Sequence, residues 1–131
     1  MSSDAIPPAK PYFPQADIEE MKEHVQKILT SGRLTLGEYT KTFEKEFADL
    51  IGVRHAIAVS SGTSALETAL RAQRLKQGDE VILPTNTFAA TGASVVHAGG
   101  KPVITSISPT TMTLDSSSVE HAKSKRTRGV I

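Results

Sequence analysis

Apolar residues at Ile18, Met21, Val25, Ile28 and Leu29 fall on one face at helical spacing, and they predict an amphipathic helix starting near Asp17. Asp17 and Glu20 are spaced as a capping box at its start, and Gly32 stops it. A second helix is predicted from about Glu38 to Leu50, with Phe43, Phe47, Leu50 and Ile51 on a shared face and Gly52 at its end. The texture then changes. His55 to Ser60 is a short run rich in branched residues and reads as a buried strand; small residues follow, and then a helix marked by Leu66, Ala69 and Leu70 that ends near Gln77 and Gly78. Glu80 to Pro84 and Lys101 to Thr105 read as further strands, separated by a helix from Thr87 to Ala98 lined with Ala, Gly, Ser and Val. Ser117 and Glu120 form a second capping box on a short helix, and Arg128 to Ile131 reads as the beginning of a fourth strand.

Short apolar strands alternating with helices imply right-handed crossovers and a mainly parallel sheet covered on both faces. The expected class is therefore α/β, a three-layer αβα arrangement. Before it, residues 1–14 hold Pro7, Pro8, Pro11 and Pro14 and read as an extended arm. The pattern ends inside a strand at Ile131, so the expectation is of a chain cut within its sheet, leaving an open apolar edge.

Composition narrows the chemistry. Lys and Arg number 15 against 14 Asp and Glu, too balanced to gather nucleic acid or an anionic membrane, so small molecules or protein are the expected partners. There is no cysteine, hence no disulfide, thiolate nucleophile or zinc-thiolate site, which fits a cytoplasmic protein. The amino terminus has no basic segment followed by an apolar run, and no stretch has membrane-spanning length. His24, His55, His97 and His121 have no metal-ligand spacing, and no metal site is expected. The basic tract from His121 to Arg128 lacks interleaved aromatics and reads as a solvated turn.

Two segments could carry chemistry. Ser60-Ser61-Gly62-Thr63-Ser64 stands at the start of a helix at the end of the sheet where ligands collect. Unpaired amides and the positive end of the helix dipole favour a phosphate there; Gly62 allows close approach, and Thr63 and Ser64 add hydroxyls. The alternative is that Ser61 or Thr63 is simply an N-cap, and this segment alone leaves both readings open. One strand along, Phe88 in Pro84-Thr85-Asn86-Thr87-Phe88 could stack on a flat heteroaromatic ring. Burial beneath the helix is the commoner fate of a phenylalanine.

The ordered series Ser31 to Gly37, Phe43 to Phe47, His55 to Leu66, Gly78 to Ile82, Pro84 to Phe88 and Gly100 to Val103 resembles the DegT/DnrJ/StrS family of sugar aminotransferases. The resemblance covers nearly the whole chain from Pro11 onward. It implies the aspartate-aminotransferase-like fold (fold type I), with residues 1–36 as an arm and helix and residues 37–131 as the amino-terminal part of a truncated pyridoxal-phosphate-binding large domain. It further implies a cytoplasmic homodimer that moves an amino group from glutamate onto a nucleotide-linked keto sugar, for polysaccharide or antibiotic synthesis. By similarity, Gly62, Thr63 and Ser64 would hold the cofactor phosphate and Phe88 would stack on its ring. The family's Schiff-base lysine and its acidic partner for the pyridine nitrogen lie beyond the matched region, and Lys76 and Lys101 do not occupy the lysine position. These residues alone are therefore expected to be inactive. The readings left beside it are a non-catalytic binding or dimerisation module and a pyridoxal-phosphate-dependent sugar dehydratase. One departure stands out: the family usually has an aspartate-containing strand end where this chain reads Thr105-Ser106-Ile107-Ser108.

Overall fold

A computed structural model describes residues 9–131; Pro7 and Pro8 of the predicted arm lie outside the described residues. The chain groups into two compact units, Met1–Ala58 and Val59–Ile131.

In the first unit, residues 9–14 carry no regular structure, and two helices follow, α1 (Gln15–Ser31) and α2 (Glu38–Ile51). Gly32 and Gly52 end them at φ 69° and 75°, the left-handed conformation a Cβ disfavours. The predicted capping box at Asp17 does not form. Pro14 is the N-cap, without a side-chain hydrogen bond, and Asp17 sits inside the first turn, where its charge suits the helix dipole instead. His24 on α1 and Tyr39 on α2 pack with ring centroids 4.7 Å apart. The apolar faces stay largely open: Met21, Val25, Leu29, Phe43, Phe47 and Leu50 are all exposed.

The second unit holds α3 (Gly62–Ala72), β1 (Glu80–Pro84), α4 (Ala89–His97), β2 (Lys101–Thr105), α5 (Ser116–Ala122) and β3 (Thr127–Val130). The sheet is wholly parallel, ordered β2-β1-β3. Because β3 lies on the far side of β1 from β2, the two crossovers step in opposite directions along the sheet, and with both right-handed they carry α4 and α5 to opposite faces. Central β1 is buried on both sides: Val81 and Leu83 form a core with Val95 of α4, with Leu70 and Leu75 packed around it, while Ile82 is fully buried on the other face.

Three further expectations need correcting. His55 to Ser60 is not a strand among the described residues, and Ile57 and Val59 are exposed. A strand exists only when laddered, and both sides of β1 are already taken by β2 and β3. The cap of α5 is Asp115, not Ser117: its Oδ2 accepts from the Ser117 hydroxyl at 2.6 Å and the Ser118 amide at 2.8 Å, and these bonds lower its carboxyl pKa to about 2. Glu120 bonds Lys123 instead of closing a capping box. Nor is the basic tract only a solvated turn. The β1–β3 register steps from Glu80↔Thr127 to Val81↔Gly129, passing over Arg128. Arg126 reaches Glu80 at 2.8 Å, and Arg128 reaches Asp79 at 3.1 Å.

Both carboxyls are held below their ordinary pKa, Asp79 chiefly by the Lys76 amide and then Arg128, and Glu80 chiefly by the Ser124 hydroxyl and then Arg126. With folded-state values depressed, the stability they add is fully present above the ordinary carboxylate pKa of about 4 and is lost as pH falls through the lower folded values. Thermal midpoints should therefore drop steeply with acid. In a doubly substituted Asp79→Asn, Glu80→Gln chain, that acid limb should flatten; parallel curves for the two proteins would show that the pairing is idle.

Candidate functional site

The predicted anion site is the first turn of α3. Ser61 is its N-cap, in extended backbone, and the Ser61 Oγ accepts from the Ser64 amide at 3.1 Å. The capping role is thus real, but it occupies only one amide of the turn. The Ala65 amide bonds the Ser61 carbonyl at 3.0 Å, whereas the amides of Gly62 and Thr63 have no partner among the described residues. The Ser64 Oγ lies 3.1 Å from Ser61 Oγ and 3.3 Å from Ser60 Oγ, so three hydroxyls cluster beside the two free amides. The sequence marks Ser61 as a candidate N-cap, which it is, but Ser60 and Ser61 are not among the residues expected there to hold the phosphate; crowded serines at a helix start are the signal that places them beside it.

Gly62 is the first helical residue and not a left-handed turn. A Cβ built on it would meet nothing within 4 Å, so neither its backbone conformation nor its neighbours demand glycine. The space over the turn is open to a group from outside the chain, which is the geometry a bound phosphate needs. The fit is one of donors: two amides, a helix dipole and hydroxyls, with no acidic side chain bonded among them.

Phe88 is the N-cap residue of α4 and is 79% exposed, so it is not a core residue beneath the helix. The segment before it is held firmly. The Thr85 amide donates to the Thr105 carbonyl at 3.0 Å, and the Thr87 and Thr91 hydroxyls bond at 2.9 Å. The Thr91 amide closes the first turn onto the Phe88 carbonyl at 2.9 Å. Since α4 follows directly from the carboxyl end of β1, Phe88 stands at that end of the sheet. Helix α3 packs along α4, with the Ser94 hydroxyl 3.3 Å from the Thr63 carbonyl, so the serine turn and Phe88 belong to one helix pair.

The lysines of this unit lie elsewhere. Lys101 opens β2 and sits 3.6 Å from Glu80 at the start of β1, while Lys76 precedes β1 and Lys123 and Lys125 precede β3. All four are at the amino ends of the strands, a strand length of roughly 15 Å from the carboxyl ends.

The model of the DegT/DnrJ/EryC1/StrS aminotransferase family matches residues 15–131. The chain belongs to this family. Among family relatives, the spore coat polysaccharide biosynthesis protein SpsC of Bacillus subtilis (strain 168) is 38% identical over 126 residues, 96% of this chain and 31% of that protein. GDP-perosamine synthase of Caulobacter vibrioides is 37% identical over 118 residues, 90% of this chain and 32% of that protein. In structure, NtdA from Bacillus subtilis with bound cofactor PMP superposes with a TM-score of 0.84 at 32% identity, over 98% of this chain and 31% of that one. The chain thus spans about a third of the length of the curated relatives it matches. The three-layer reading and the family resemblance drawn from the sequence both hold.

Proposed function

We infer that this protein is a pyridoxal-phosphate-dependent sugar aminotransferase that takes an amino group from glutamate and places it on a nucleotide-linked keto sugar. Such a product serves cell-surface polysaccharide or antibiotic synthesis. The observation that carries this reading is the open first turn of α3, where two unpaired amides and a serine cluster share a helix pair with an exposed phenylalanine. The amides of Gly62 and Thr63 and the hydroxyls of Thr63 and Ser64 hold the cofactor phosphate, and Phe88 covers one face of its ring. When bound, the cofactor supplies the electron sink for amino transfer.

The polysaccharide-biosynthesis relative and GDP-perosamine synthase support a sugar substrate, in the second case one attached to a nucleotide. Because the lysines of the sheet unit all stand at the far end from the phosphate turn, these 131 residues supply part of the pocket and do not transaminate by themselves. Residues 37–131 would then be the amino-terminal part of the cofactor-binding domain. The exposed apolar faces of α1 and α2 suit an interface between two copies, which supports a homodimer, and the same reading has the enzyme work in the cytoplasm.

Calorimetric titration with pyridoxal phosphate tests the site. The Thr63→Ala, Ser64→Ala chain should bind at least about tenfold more weakly, since each lost charge-assisted hydrogen bond weakens binding about that much. Equal affinity would sink the site. Turnover of glutamate and a nucleotide keto sugar by the chain alone would refute the claim that it needs a lysine from outside these residues.

A further inference from the structure

Two hydrogen bonds cross between α3 and α4. The Ser94 hydroxyl donates to the Thr63 carbonyl at 3.3 Å, and His97 Nδ1 lies 3.2 Å from Glu67 Oε2. They ascend both helices in the same order, so the helices run parallel, and Phe88 precedes the level of Ser94 by about 9 Å of helix rise. The two bonds differ in environment. His97 is open to water and Glu67 half-buried, whereas Ser94 is fully buried. A buried hydroxyl must find an acceptor, and this one shares its single proton: the Ala90 carbonyl, one turn back on α4, takes the shorter bond at 2.7 Å, and the Thr63 carbonyl takes the longer one at 3.3 Å across to α3.

The Thr63 carbonyl and the Ser64 amide are the two ends of one planar peptide unit. Ser94 holds its oxygen from α4 while Ser61 Oγ accepts from its N–H at 3.1 Å. A plane contacted at both ends rocks less freely, and it is the plane directly following the two free amides. We propose that Ser94 is a positioning residue: by gripping the Thr63–Ser64 peptide from the opposite side to Ser61, it aims the unpaired Gly62 and Thr63 amides at the phosphate. The proposal rests on the reading of this turn as the phosphate site and adds a residue outside it. It also gives a reason for a polar side chain in the buried middle of a small-residue helix, where alanine would otherwise pack as well.

The test compares the full wild-type chain with Ser94→Ala by calorimetry, using pyridoxal phosphate, inorganic phosphate and phosphate-free pyridoxal as separate probes. Loss of the grip should weaken both phosphate-bearing probes by about five- to tenfold and leave pyridoxal unchanged. A general loosening of the fold would move all three alike, and that result overturns the role, as does phosphate affinity within twofold of wild type. Failure of the wild-type chain to bind either phosphate probe overturns the underlying site instead. If Ser94→Ala does not fold, Ser94→Cys keeps the shape at slightly larger size and has a weaker donor; wild-type phosphate affinity in that variant overturns the proposal.

Discussion

Leu83→Ala should remove about 2–5 kcal/mol of unfolding free energy, a large part of what holds a domain of this size together. Leu83 is 1% exposed, shares the core with Val81 and Val95, and has its Cδ1 3.8 Å from where a Cβ on Gly92 would stand, so truncation leaves a cavity in a place with no slack. Its carbonyl also accepts the Thr105 hydroxyl at 3.4 Å, at the point where β1 hands over to the Phe88 segment. The loss should therefore reach the site as well as the stability. Urea unfolding followed by circular dichroism measures the first effect. Ile104→Ala on the neighbouring strand, where the side chain is mostly exposed, is the control and should cost less than about 1 kcal/mol. Equal losses for the two variants would mean that the core has been placed wrongly.

The sheet unit was the most legible part of the sequence because its central strand is buried on both faces. Val81, Ile82 and Leu83 form an uninterrupted apolar run between Glu80 and Pro84, and that pattern has few readings besides a central strand. The run from His55 to Ser60 carries an equally apolar signal yet forms no ladder. Hydrophobicity records a need for burial but does not name the neighbour that supplies it, and no strand among the described residues pairs with this one. Helix caps failed for a related reason. Ser117 and Glu120 match a capping box, but the helix starts earlier: Asp115, two residues upstream, offers its carboxylate to the Ser118 amide and takes the cap position. The family resemblance supplied the candidate site residues, whereas burial statistics pointed the wrong way for Phe88, since an exposed aromatic at a strand end defies the average. Ser94 could not be found from sequence at all. Among Ala, Gly and Val it looks like a packing residue, and only the carbonyl opposite it in space reveals a hydrogen-bonding one.

Gly62→Asp should separate function from stability more sharply than any other single change. Glycine is not required at this position: its φ is not in the left-handed region, and an added Cβ meets nothing within 4 Å. A carboxylate at the first position of α3 would lie against the free amides and the positive end of the helix dipole, which together favour an anion. The melting temperature should then hold or rise. The same carboxylate occupies the place a phosphate would take and repels it at contact distance, where like charges near a protein surface cost from about 1 to several kcal/mol. Affinity for pyridoxal phosphate should fall at least about tenfold, and more at low salt, where screening is weakest. Phosphate-free pyridoxal should be less affected, because its ring contacts lie toward Phe88. A variant that melts lower and binds pyridoxal phosphate as before would reverse both halves of the argument: the glycine would then be present for the chain's own folding, and the open space above it would belong to no ligand.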